Sequence, residues 1–224
     1  MYPPVCPFCE EIYPDGICPL CKKKITYIRQ PRCMKCGKPL KAEEQEYCRD
    51  CTKYPYAYEQ GRSLWVHKAP VSVGIYKFKY KNRRCYSEVF GAEMAEAFLD
   101  QVRRWEIEEI IPVPLHSSRR RVRGYNQAEL LADELGKRWG IPVNKKAVIR
   151  IQKTIPQKEL GNRARVENLK AAFGVSKAWI PKQKVLIIDD IYTTGNTIHR
   201  VAKVLKKAGA QKVYFLTISI GQGL

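Results

Sequence analysis

Eight of the nine cysteines fall into four CxxC pairs near the start of the chain: Cys6 and Cys9, Cys18 and Cys21, Cys33 and Cys36, Cys48 and Cys51. A two-residue gap lets two thiolates on one tight turn reach a single ion, and two such turns complete a tetrahedral shell of four thiolates around Zn2+. Eight ligands therefore suit two zinc ions. The intervening stretches of eight, eleven and eleven residues leave room for hairpins that return the chain to each ion. Two arrangements fit. The favoured one is two ribbons in series; the other is a cross-brace joining the first pair to the third and the second to the fourth. A redox role is disfavoured, because no thioredoxin-like strand and helix surround each pair. With every coordination position filled by protein, the ions are structural. A segment of about fifty residues buries too little apolar surface to fold unaided, and zinc binding of about 10–16 kcal/mol supplies the deficit. Cys85 stands outside the pattern and reads as a small, partly buried side chain.

A chain of 224 residues holds one sizeable core beside this small region. The net charge of +19 is uneven: residues 1–60 carry +2 and residues 61–224 carry +17. Such an excess favours polyanionic partners. The longest apolar runs, such as Val185 to Ile188, fall far short of the ~20 residues of a membrane helix. No secretory segment precedes the first cysteine, so a soluble, cytoplasmic protein is expected, and reduced cysteines with it.

After the zinc region, "TKYPYAYEQGRSLW" (52–65) reads as a passage between domains, and "VSVGIYKFKYKNRR" (71–84) shows partial alternation. Val89, Phe90, Met94, Ala97, Phe98 and Val102 fit one helical face; Ala128, Leu131, Ala132 and Leu135 fit another; Ile198, Val201, Ala202 and Leu205 fit a third. "EEIIPVPL", "VLIIDD" and "KVYFLTISI" read as strands. Strands alternating with helices predict an α/β fold, with a mostly parallel sheet covered by helices on both faces. The expected boundaries are 1–57 for the zinc domain and 58–224 for the α/β domain.

One strand end carries the chemistry. In "KVLIIDDIYTTGNT" (184–197) an apolar strand leads to two carboxylates, then to small residues, then to a helix starting near Asn196 or Thr197. Ligands of open α/β sheets collect outside the carboxyl ends of strands. Unpaired N–H groups at the helix start make an anion cradle, and the hydroxyls of Thr193, Thr194 and Thr197 add donors. Gly195 lets the backbone approach closely. A phosphate in that cradle would place its sugar by Asp189 and Asp190, which can accept from hydroxyls or hold hydrated Mg2+.

This stretch resembles the phosphoribosyl pyrophosphate (PRPP) motif of type I phosphoribosyltransferases. "IIPVPLHSSRRRVRGYNQAELLADEL" and "TIPQKELGNRARVENLKAAF", with the CxxC pairs, resemble the ComF family of bacterial competence proteins over nearly the whole chain. The resemblance implies a type I phosphoribosyltransferase-like fold with an N-terminal double zinc ribbon. It implies that Asp189 and Asp190 hold the ribose hydroxyls, that Thr193, Thr194, Gly195, Asn196 and Thr197 bind the 5′-phosphate, and that Val113, Pro114 and Leu115 face pyrophosphate. It places Thr154, Gln157 and Arg163 in a mobile hood over residues 150–170. It also implies a role in uptake and handling of single-stranded DNA during natural transformation, with helicase-like and recombination proteins as partners.

Thr193 stands where transferases of 6-oxopurines carry a third acid, which speaks against purine salvage. The alternative function is a metabolic phosphoribosyltransferase with an unknown acceptor, whose catalysis rests on positioning and charge stabilisation as pyrophosphate leaves.

Two basic stretches supply nine candidate contacts to nucleic acid: Lys77, Lys79, Lys81, Arg83 and Arg84, then Arg119, Arg120, Arg121 and Arg123. Phe78 and Tyr80 interleave the first, as in single-strand platforms where bases stack on aromatic rings. His67, His116 and His199 read as surface or core residues, His116 lying nearest the expected pyrophosphate loop.

Overall fold

The computed structural model describes residues 3–151 and 173–221. Two short helices, α1 (Pro19–Lys24) and α2 (Arg49–Lys53), precede strand β1 (Gln60–Val66). Helices α3 (Val71–Tyr80) and α4 (Tyr86–Trp105) lead to β2 (Glu109–Pro112), then α5 (Ser117–Arg123) and α6 (Gln127–Trp139) to β3 (Val148–Arg150). The second described segment holds β4 (Phe173–Val175), β5 (Lys184–Tyr192), α7 (Asn196–Lys207) and β6 (Lys212–Ile220). Four strands pair in parallel in the order β1-β6-β5-β2, while β3 and β4 form a separate antiparallel pair. Thr154, Gln157 and Arg163 lie outside the described residues.

Period-two alternation along β5 divides the interior into two cores. Leu186 and Ile188 join Leu216, the α4 residues Phe90, Met94 and Phe98, and the α6 residues Leu131 and Leu135. Val185 and Ile187 join Val213, Phe215 and the four buried apolar residues of α7, Ile198, Val201, Ala202 and Leu205. A parallel strand buried on both faces must read as a continuous apolar run, which is why "VLII" shows no polar interruption.

The cysteines assemble as Cys6, Cys9, Cys18 and Cys21, and as Cys33, Cys36, Cys48 and Cys51. The pairs therefore work in series, and the cross-brace is excluded. Cys9 and Cys18 Sγ lie 3.7 Å apart, as do Cys36 and Cys48 Sγ. That is the edge of a tetrahedron with metal–sulfur bonds of about 2.3 Å. Charge agrees with geometry. Arg62 is 6 % exposed and donates only to the carbonyls of Met34 and Gly61 among the described residues. Burial lowers its pKa to about 10, with Arg32 adding to the drop and Cys33 and Cys36 opposing it. A Zn2+ with four thiolates carries a net negative charge that answers this buried guanidinium, whereas neutral thiols would leave it without a counter-charge.

The zinc region wraps the sheet's edge strand. Val66 N–H donates to Thr26 O at 3.0 Å, and Gly61 N–H to Lys35 O at 2.7 Å. Such cover removes the pairing hazard of an open edge. On one face Phe8 meets Trp65 (ring centroids 5.8 Å) and Phe90 (6.1 Å), so the first ribbon shares the core of α4. On the other face Cys33, Cys36 and Cys48 share a core with Tyr56, Tyr58 and Phe215. Gly37 has φ +76°, and a Cβ there would sit 3.0 Å from Gly61 O. Only glycine lets that knuckle rest on β1.

Several local expectations change. The expected passage at 52–65 contains most of β1, because Leu64, Trp65 and Val66 have cores to enter on arrival. Residues 71–80 form a helix whose buried face is Val71, Gly74, Ile75 and Phe78. Its alternating aromatics misled, since the burial period is three to four. Ala97 is exposed, and Ala95 takes the inward place in α4. Cys85 is exposed just before α4 rather than partly buried.

Because both ribbons are built into the cores of the sheet, zinc loss should destabilise the whole molecule. Elemental analysis is expected to return about two zinc ions per chain. Cys36→Ala should lower the stability of the entire protein by several kcal/mol within a single melting transition. A separate early transition, with the sheet melting at its original temperature, would contradict this packing.

Candidate functional site

Strand β5 carries Asp189 and Asp190 to the carboxyl edge of the sheet. Pairing continues two residues further than expected, through Ile191 opposite Ser219 and Tyr192 opposite Ile220. Buried Tyr192 anchors that extension by stacking on Phe215, with centroids 4.9 Å apart. Asp189 is half-buried, and its Oδ1 accepts the N–H of Asp190 at 2.9 Å. Asp190 is 9 % exposed and pairs with Lys79 at 2.8 Å.

Beyond Tyr192 the chain turns through exposed Thr193 and Thr194 and buried Gly195, and α7 begins at Asn196. Gly195 has φ +77°, and a Cβ on it would collide with the Tyr192 hydroxyl. Glycine is therefore required both for conformation and for space. Among the described residues, no acceptor faces the backbone N–H groups from Thr193 to Thr197. Their dipoles, together with that of the twelve-residue α7, favour an anion.

A second wall comes from the end of β2. Val113 N–H donates to Ile188 O at 2.9 Å, and Val113 O accepts from Asn126 Nδ2 at 2.9 Å. Asn126 Oδ1 also accepts the Ala128 N–H at 3.1 Å, capping α6. This one buried amide locks the turn that carries half-buried Pro114 and Leu115 to the start of α6. His116 Nδ1 faces its neighbour Ser118, 2.7 Å from the hydroxyl and 3.2 Å from the N–H. It serves as a cap.

Two further groups, His67 and Arg150, stand near enough to the acidic pair to share its charge. His67 Nδ1 lies 2.9 Å from Ser219 Oγ, and its pKa is lowered, by burial first and by Lys79 second. Arg150 stacks over Phe173 at 5.1 Å. Its pKa is lowered by burial, then by Arg119 and Arg200, and raised by Asp189. Arg119 of α5 and Arg200 of α7 thus act on the charge of Arg150, and Arg150 in turn acts on Asp189. Arg119 had a signal in its basic run; Arg200 had none, being one cation among several on α7.

The basic stretches divide by partner. Lys77 and Arg83 each pair with Glu10 of the first ribbon at 2.7 Å. Arg120 holds Glu129 through both nitrogens at 3.0 and 3.1 Å. Lys79 belongs to Asp190. Arg84 lies over Tyr125 (4.9 Å) and Arg123 over Tyr80 (4.6 Å). Lys79, Tyr80, Arg84, Arg121 and Arg123 line a cleft of about 340 Å3, and Lys81 is exposed beside it. Phe78 is wholly buried and offers no stacking face. Tyr76 and Tyr80, each 55 % exposed with centroids 5.1 Å apart, form the outward aromatic pair, as residues four apart on a helix do.

Asp189 is pushed up from 3.8 to about 7, by burial first and by the charge of Asp190 second, against the pull of Lys79 and Arg150. In that window the folded state holds a proton the unfolded state has released, so stability falls as pH rises. The ligand-free protein should lose up to about 1.4 kcal/mol per pH unit from this group. Asp189→Asn should flatten the slope between about pH 5.5 and 7, measured by denaturant melts at each pH. An unchanged slope would refute the assignment.

Comparison with known proteins agrees with this architecture. Residues 1–52 match the double zinc ribbon domain family, and residues 122–219 match the phosphoribosyl transferase domain family. The chain is 33 % identical to competence protein F of Haemophilus influenzae, over 91 % of this chain and 90 % of that protein. It is 31 % identical to the DNA utilization protein YhgH of Salmonella typhimurium, over 88 % of this chain and 87 % of the relative. It is 26 % identical to competence protein ComFC of Bacillus subtilis, over 87 % and 80 %. With its serial zinc ribbons, parallel sheet and near full-length likeness to these proteins, the chain belongs to the ComF family of competence proteins.

Proposed function

We propose that this protein binds PRPP, or a related ribose 5-phosphate, at the β5–α7 turn, and handles single-stranded DNA in the adjoining cleft during natural transformation. The observation that carries the first part is the convergence of an acidic pair and a row of unpaired amides on one turn at the sheet's carboxyl edge. The amides of Thr193 to Thr197 would receive the 5′-phosphate. Asp189 and Asp190 would accept from the ribose hydroxyls or hold hydrated Mg2+, which neutralises pyrophosphate when bound. Lys79 and Arg150 would add positive charge for the pyrophosphate, with the Val113–Leu115 turn opposite. The protein would act in the cytoplasm beside helicase-like and recombination proteins.

Support for the second part comes from the names of the relatives and from the cleft itself. Arg84, Arg121 and Arg123 line it together with Tyr80, combining cations for phosphates with a ring for a base. The cleft begins at Lys79, the partner of Asp190. A strand lying in it would end beside the sugar-phosphate site.

Calorimetry with PRPP and Mg2+ tests the first part. Heat from the wild type that disappears in Asp189→Asn/Asp190→Asn is expected; a silent wild type would sink the reading. Pyrophosphate release with a panel of bases and amines would instead support a metabolic transferase. For the second part, single-strand affinity should fall with salt, at a slope of about 0.7 per phosphate contact. Arg84→Ala/Arg121→Ala should reduce that slope by about 1.4. Lys77→Ala/Arg83→Ala, whose charges already face Glu10, should leave it alone.

A further inference from the structure

The chain between the second zinc cluster and β1 touches the β5–α7 turn at three points. Before the turn, the Tyr58 and Tyr192 hydroxyls lie 2.6 Å apart. Within it, the Tyr56 hydroxyl donates to Thr194 O at 2.7 Å. After it, the Ala57 N–H donates to His199 Nδ1 at 3.0 Å. His199 returns to the turn through its own N–H, bonded to Gly195 O at 2.8 Å. Three consecutive residues thus brace the strand end, the loop and the first turn of the helix.

The segment is itself stiff. Tyr56 stacks on Tyr58, with centroids 5.3 Å apart and planes 15° apart, and sits edge-on to His199 at 5.8 Å. Tyr58 packs edge-on to Phe215 at 4.8 Å. At the other end, α2 carries Cys51 of the second cluster, and Tyr54 N–H closes that helix on Asp50 O at 2.9 Å. The Tyr56 N–H then turns back onto Tyr54 O at 2.9 Å. The zinc ligand and the tyrosine hydroxyl belong to one short braced unit.

The central contact has a directional consequence. In a planar trans peptide the C=O and the following N–H point opposite ways. A Thr194 carbonyl held by Tyr56 therefore turns the Gly195 N–H away from the ribbon, toward the open side of the turn. We propose that Tyr56 is a positioning residue, whose hydroxyl orients the amides of the Thr193–Thr197 turn for a sugar phosphate. This rests on the reading of that turn as the 5′-phosphate site. Tyr56 touches no ligand; it acts through the loop backbone.

The test is calorimetry with ribose 5-phosphate and, separately, pyrophosphate, on wild type and on Tyr56→Phe, which keeps the stacked ring and loses only the hydroxyl. Tyr56→Phe is expected to weaken ribose 5-phosphate by about fivefold, the effect of one hydrogen bond. Pyrophosphate affinity, zinc content and melting temperature should stay close to wild type. Equal weakening of both ligands would mean general loosening, and unchanged ribose 5-phosphate affinity would mean no orienting role; either overturns the proposal while the phosphate site stands. A wild type that ignores ribose 5-phosphate and PRPP overturns the site and the proposal together. Tyr58→Phe, which loses only the bond to Tyr192 and leaves the Thr194 carbonyl held, should keep ribose 5-phosphate affinity close to wild type; a loss equal to that of Tyr56→Phe would mean general loosening and overturn the orienting role. If neither variant folds with two zinc ions, the hydroxyls hold the core rather than orient the turn, and the proposal fails.

Discussion

A parallel sheet of four strands needs cover on both faces and along its outer edge, and in this protein much of that cover depends on zinc–sulfur bonding. The two ribbons straddle β1: one contributes Cys6, Phe8 and Ile17 to the core under α4, the other contributes Cys33, Cys36 and Cys48 to the core under α7. Their backbones also bond the free side of β1 at Val66 and Gly61. Zinc therefore does more than fold a small appendage. It closes one edge of the sheet, two strands away from the β5 end that carries the acidic pair.

Electrostatics distributes the large positive charge unevenly. Part is neutralised internally by Glu10 and Glu129, part balances the buried thiolate cluster through Arg62, and part sits with Arg150 and in the cleft beside Lys79. Salt bridges at exposed positions contribute little to stability, so the pairs with Glu10 matter more for removing Lys77 and Arg83 from the set of free cations. Lys22, Lys38, Lys145, Lys184 and Lys206 are likewise paired with carboxylates.

Where pattern and burial coincide, the fold is legible in the amino-acid sequence. The apolar faces of α6 and α7, the continuous run of β5, and the acidic pair with its small-residue turn all stand where periodicity and spacing put them, because each is set by neighbours within a few residues. Helix α3 is not legible in this way. Tyr76, Phe78 and Tyr80 mimic a strand, and only the core that accepts Val71, Ile75 and Phe78 shows the period to be helical. Ala97 is misplaced by periodicity because a small side chain gives weak preference to either face.

The amino-acid sequence by itself determined the zinc ligands, the apolar strand, the loop and the glycine at its hinge, since thiolate chemistry, hydrophobic period and a positive φ are local demands. Tertiary structure alone decided that the clusters form in series, that Lys79 faces Asp190 rather than open solvent, that Asn126 holds the Val113 turn, and that Tyr56 reaches Thr194. Those contacts join residues from about a dozen to well over a hundred positions apart. Their geometry is set by which core each element enters, which no short stretch of sequence encodes.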